Sequence, residues 1–156
     1  MLHSPPRTEI RVLVVEPAAT LRAALRAAMI GLARVESQSQ FATARARLGV
    51  ATFDVLVTNI RLEAYNGLHL VYLAGAIAEG PRAIVYGDIE DLRLAREAQQ
   101  IGAFYVRRGL VAFALGSYLQ AYLSATLPDR DRRDAAVRDR RGTFRTGRRS
   151  EDRYLG

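Results

Sequence analysis

The chain has 156 residues, 23 Arg and no Lys, 16 acidic residues, no Cys, and a net charge of +7. Absence of cysteine excludes disulfides, thiolate metal sites and cysteine nucleophiles, and absence of lysine excludes an amine nucleophile or a lysine–phosphate contact. No stretch approaches the roughly 20 apolar residues of a membrane helix, and 1–9, with Pro5, Pro6, Arg7 and Glu9, does not read as a signal peptide, so a cytoplasmic protein is expected. In chain order, Arg11–Glu16 (RVLVVE) is a short apolar run of the kind that forms a buried parallel strand. Ala18–Ile30 follows with helical spacing, Leu21, Leu25, Ala28 and Met29 sharing a face, and Gly31 ends it. Ala33–Ser37 reads as a weaker strand and Gln40–Leu48 as a short helix.

Phe53–Thr58 (FDVLVT) is the second strong strand. Tyr65-Asn66-Gly67 is a turn signal, because Asn and Gly tolerate positive φ. Leu68–Ala78 reads as a helix with Leu68, Val71 and Leu73 inward, broken by Gly80-Pro81. Arg82–Tyr86 is a strand, Glu90–Ile101 a helix, Ala103–Val106 a short strand, and Val111–Ser124 the last helix. Five strand–helix units with short connections predict an α/β fold, a doubly wound five-stranded parallel sheet of order 2-1-3-4-5 with helices on both faces. The functional site of such a sheet lies at the carboxyl ends of its strands. The predicted organisation is a short extension over 1–9, a domain over 10–127, and an Arg/Asp-rich tail over 128–156. The tail has 10 Arg against 6 acids, few aliphatics, and a composition that predicts disorder or a frayed helix around Asp134–Arg141.

Four segments, VLVVE, DVLVTNIRLEAYNGLHL, RAIVYGD and GAFYVRR, resemble the response-regulator receiver family in order and spacing across about Arg11–Leu127. The resemblance implies the flavodoxin-like receiver fold and a role in two-component signal transduction. It also implies a site in which two acids after the first strand hold magnesium and an aspartate after the third accepts a phosphoryl group. A hydroxyl after the fourth strand and a lysine after the fifth contact the phosphate. Here those positions carry Glu16 and Pro17, Asn59, Gly87, and Arg107 or Arg108. Pro17 has no ligand atom, and an amide is not a phosphoryl nucleophile. Magnesium wants several oxygen ligands; with only Glu16, and Asp88 as a weak second candidate, the site is not expected to hold it. The expectation is a degenerate pocket in which Glu16 pairs with Arg107 or Arg108 and Asn59 bonds to the pair. No catalytic role is expected.

Tyr105 sits near the position of the family's switch aromatic, as the resemblance implies. Leu115, Tyr118, Leu119 and Tyr122 on the last helix make a candidate interface for a protein partner or a homodimer, since Tyr is enriched at interfaces. The expected function is phosphorylation-independent protein–protein interaction. Two alternatives remain: an anion or small-ligand sensor built on Gly87, Arg107 and Arg108, and nucleic-acid contact through the tail, where Phe144 and Tyr154 could stack on bases. The acids interleaved in the tail weigh against nucleic acid as a partner. His3 and His69 lack acidic companions at ligand spacing, and no phosphate loop or G-x-G-x-x-G is present.

Overall fold

In a computed structural model, residues 9–88 and 92–126 are described. The chain divides into two compact units, Met1–Ala121 and Tyr122–Gly156. The first carries a five-stranded parallel sheet. Its strands are β1 (Ile10–Val15), β2 (Ala33–Gln38), β3 (Val55–Asn59), β6 (Arg82–Gly87) and β7 (Ala103–Arg107). Between β3 and the third helix lies a small antiparallel hairpin, β4 (Arg61–Leu62) and β5 (Tyr65–Asn66). The helices are α1 (Ala19–Ala28), α2 (Phe41–Val50), α3 (Leu68–Gly75), α4 (Leu92–Gln100) and α5 (Val111–Thr126), with a 3-10 turn over Arg108–Leu110. The sheet order is β2-β1-β3-β6-β7. This is the expected 2-1-3-4-5, since the hairpin takes two labels. The last residues of α5, 122–126, fall in the second unit. The predicted disorder of the tail concerns residues outside those described.

The three central strands are apolar on both faces because helices cover both. Val12, Leu13, Val14 and Val15 of β1 and Val55, Leu56 and Val57 of β3 are fully buried. Continuous β-branched runs are what such doubly covered parallel strands require. The outer strand β2 is only half-buried, which is why ARVESQ is polar.

Three local expectations need correction. α3 ends at Gly75, not at Ala78, since the amides of Ala76, Ile77 and Gly80 turn back on the carbonyls of Tyr72, Ala74 and Ile77 and Glu79 takes a positive φ of 54°. The buried face of α3 is Leu68, Leu70, Val71 and Ala74, and Leu73 points outward. Gly67 does not adopt positive φ; it is helical at φ −58°. Glycine is required there by space, because a Cβ would come 2.1 Å from the Asn59 carbonyl oxygen. The positive φ of this loop sits instead at Glu63, in the hairpin turn.

Candidate functional site

Strand register builds the site. Val15 of β1 lies beside Thr58 of β3, and Asn59 lies beside Tyr86 of β6. Glu16, the next residue after β1, therefore joins Asn59 and Tyr86 in one row across three adjacent strand ends. The Glu16 amide extends β1 by bonding to the Gln38 carbonyl at 3.0 Å. Its carboxylate is buried, with 1 % of its surface exposed. Oε1 accepts the Ala18 amide at 2.8 Å, and Oε2 accepts both the Asn59 Nδ2–H at 3.0 Å and the Tyr86 hydroxyl. Three donors thus converge on one carboxylate, the arrangement by which a buried charge is tolerated. Asn59 spends its other atom on the loop, Oδ1 accepting the Arg61 amide at 2.9 Å. Arg22 of α1 fixes the loop after β1 by donating to the carbonyls of Glu16 at 2.8 Å and Pro17 at 3.2 Å.

Tyr86 is fully buried. Burial pushes its phenol pKa far above the ordinary value of 10, and the bond to Glu16 pushes in the same direction, so the group is a neutral donor. Sequence reasoning placed Tyr86 only as the last residue of a strand. The signal that could have found it is register: a Tyr one residue before the hydroxyl position aligns with the acceptor position on the adjoining strand.

At Gly87 a Cβ would meet the Tyr105 hydroxyl at 2.6 Å and Ile60 Cγ2 at 3.1 Å. The Tyr105 hydroxyl therefore fills the space that a side chain at 87 would take. Tyr105 also packs against the hydrophobic core and lines a groove on the outer side of β7, so it reaches from the pocket to that groove.

The two arginines separate. Arg108, in the 3-10 turn, donates to Asp88 Oδ1 at 3.0 Å, and that bond raises its pKa, with smaller contributions from the charge of Asp88 and of Glu16. Arg107 lines the groove instead. Neither pairs with Glu16, contrary to the expected Glu16–arginine pair, because Asn59, Tyr86 and the Ala18 amide already hold the carboxylate. Asp88 is exposed and engaged with Arg108. Among the described residues no group of three His, Asp or Glu side chains is arranged to hold a metal ion.

The candidate interface on α5 also needs correction. Leu115 and Leu119 are fully buried and belong to the packing of the fold, since the row Val111–Leu115–Leu119 faces inward at four-residue spacing. Tyr118 is half-buried and lines the groove; Tyr122 is half-buried and belongs to the second unit. The exposed apolar groups sequence reasoning missed are Phe104 and Phe113, 57 % and 80 % exposed. With Leu110, Tyr105, Arg107 and Tyr118 they line a groove of about 750 Å³ between α4, β7 and α5.

No protein-family model matches the chain, and no curated protein is significantly similar to it. Solved structures do match. The response-regulator receiver domain (CheY-like) of Methanospirillum hungatei superposes with a TM-score of 0.68 at 17% identity over 76% of this chain and 96% of its own. The Francisella response regulator 1452 receiver domain gives 0.67 at 13% identity over 75% and 98%. DrrB of Thermotoga maritima, an OmpR/PhoB homolog, gives 0.68 at 16% identity, with this chain spanning 54% of its length. The fold is that of response-regulator receiver domains. No helix among the described residues is long and apolar enough to cross a membrane.

Proposed function

We propose that this chain is a receiver-like module of two-component signalling that neither binds magnesium nor accepts a phosphoryl group, and that it acts through contact with a protein partner. The observation that carries this reading is the Glu16 carboxylate, whose oxygens are taken by the Ala18 amide, the Asn59 amide and the Tyr86 hydroxyl. A magnesium ion needs several hard oxygen ligands around open coordination positions. Here the single inward carboxylate is hydrogen-bonded by donors from its own chain, and Pro17 supplies no second ligand. Asn59 lacks the carboxylate oxygen that would form the acyl phosphate. The hydroxyl position, Gly87, is filled by Tyr105, and Arg108 is held by Asp88.

The same features favour one fixed arrangement of the strand ends, so the output side of the fold is presented without a phosphorylation signal. The groove beside β7, with its exposed aromatic walls, is the surface on which such a module would dock. A cytoplasmic setting accords with the receiver fold and the absence of cysteine.

Incubation of the full chain with Mg²⁺ and acetyl phosphate, read by intact mass, tests the chemistry. The expected result is an unchanged mass. A stable gain of one phosphoryl group that maps to 54–61 would overturn the reading.

A further inference from the structure

The sheet ends in β2 on one side and β7 on the other. Successive residues of a strand turn their N–H and C=O to opposite sides. Gln38 turns its groups to β1, since its carbonyl accepts the Glu16 amide at 3.0 Å. Arg34 and Glu36 do the same by alternation, and Ala33, Val35 and Ser37 turn theirs outward. The Ala33 amide bonds to the Met29 carbonyl at 3.2 Å; among the described residues no backbone group pairs with the outward groups of Val35 and Ser37. Such an edge is a template for another strand. The side chains alternate too. Glu36 pairs with Arg47 of α2, and Ser37 accepts a bond from Arg26 of α1. Arg34 is exposed and belongs to neither of the ion pairs among the described residues, Arg47–Glu36 and Arg108–Asp88.

The charge pattern selects the occupant. Ala33–Ser37 (ARVES) carries opposite charges on either side of Val35 and a small residue at each end, so it complements its own reverse. Antiparallel pairing with a second copy about a two-fold axis at Val35 sets Arg34 opposite the partner's Glu36 and Ala33 opposite the partner's Ser37. A shift of one step either way sets Arg34 against Arg34 or Glu36 against Glu36, so charge fixes the register. Glu36 keeps Arg47, because a carboxylate has acceptor sites for both guanidinium groups. On the α1 side Val35 lines a cavity of about 520 Å³ together with Ile30, which is 79 % exposed. The pairing brings the two cavities together and removes apolar surface from water. Arg26 is the only charged residue lining the cavity. Its two copies lie over Ser37, four residues apart across the axis. That is about 14 Å along the strand, beyond the Debye length of about 8 Å at physiological salt.

We infer that the chain forms a two-fold dimer through the free edge of β2, joining two five-stranded sheets into one by backbone bonds at Val35 and Ser37 and by Arg34–Glu36 pairs across the axis. The inference stands apart from the proposed function. Taken with it, the dimer carries a docking groove at each end of the joined sheet, because β7 is the opposite edge.

Sedimentation equilibrium of the full chain tests the pairing. The chain should be a concentration-dependent dimer. Arg34→Glu and Glu36→Arg should each weaken it by at least about tenfold, since each replaces attraction by repulsion on both sides of the axis. Mixed in equal amounts, the two variants should form a heterodimer of near-parental affinity, because every acid then faces an arginine; unfolding of either variant would give no such rescue. Exchange of the Val35 and Ser37 amides should slow as protein concentration rises, a readout that needs no variant. A monomer at every soluble concentration, a dimer indifferent to Arg34→Glu, or exchange at Val35 and Ser37 independent of concentration would each overturn the inference. So would a dimer that Phe113→Ser abolishes, which would place the contact beside β7. The proposed function fails on a separate result, uptake of a phosphoryl group.

Discussion

Restoring an aspartate at the acceptor position should break the fold's electrostatics without restoring the chemistry. Asn59→Asp replaces a donor, 3.0 Å from Glu16 Oε2, with a second carboxylate at the same place. At an effective dielectric of about 20, two unit charges about 3 Å apart repel by about 5 kcal/mol, and the lost hydrogen bond removes about 1 kcal/mol more. Relaxation of the loop and uptake of a proton by the pair lower the net cost to about 3–5 kcal/mol at pH 7, a large part of the stability of an ordinary domain. The sign with pH follows from the pair sharing one proton. One carboxyl of the variant has its folded pKa raised above the unfolded value of about 4. The folded variant then binds more protons than the unfolded chain, so its deficit is absent below about pH 4 and grows as pH rises through the raised pKa. Urea unfolding followed by circular dichroism at pH 4 and pH 7, for the parent and for Asn59→Asp, measures this directly. The variant should also gain no phosphoryl group from acetyl phosphate, because Tyr86 and the Ala18 amide still hold Glu16. A variant as stable as the parent at pH 7, or one that is phosphorylated, would refute the reasoning.

The other expectations concern the same strand ends. Tyr86→Phe removes a buried donor from Glu16 and should cost about 1–3 kcal/mol in urea unfolding. Its raised pKa predicts that at least one of the seven tyrosines stays un-ionised, by ultraviolet absorbance, well above pH 10 until the chain unfolds. Because the folded pKa is the higher, stability should fall as pH rises past 10. Gly87→Ala should drive the Tyr105 ring from its seat toward the groove, at a cost of about 1–3 kcal/mol; the Tyr105 ring resonances should move, and unchanged resonances would contradict the placement. Gly67→Ala, whose Cβ would clash with the Asn59 backbone, should cost about 3 kcal/mol in the same unfolding assay.

Periodicity carried the fold because the strands are buried on both faces. VLVV and VLV fill their positions with β-branched and aliphatic groups, and short helical segments alternate with them, leaving one topology class. Chain-order landmarks carried the positions of Glu16, Asn59 and Gly87 at the strand ends. What they could not carry is contact between side chains that are remote in sequence. Glu16 and Tyr86 are 70 residues apart and meet only because the register places β1, β3 and β6 side by side. For the same reason the partner of the buried carboxylate was sought among arginines, whereas Arg108 had a closer match in Asp88. Leu115 and Leu119 illustrate a second limit. An aliphatic pair four residues apart defines a helical face, yet which face meets the sheet is decided by the helix's neighbours. Gly67 shows a third: the turn composition was right, but the glycine answers to the Asn59 carbonyl that crowds it and not to its own φ.

The central claim is that the Glu16 pocket is filled by the chain's own donors. Its most direct test is a titration of the amide resonances of the full chain with Mg²⁺ and then with beryllofluoride, a mimic of the bound phosphoryl group. The account predicts no saturable shifts at Glu16, Asn59, Gly87 or Arg108 with either. Saturable shifts at those amides would mean that Tyr86 and Asn59 yield the carboxylate to a metal or an anion, and the claim of a self-filled pocket would be contradicted.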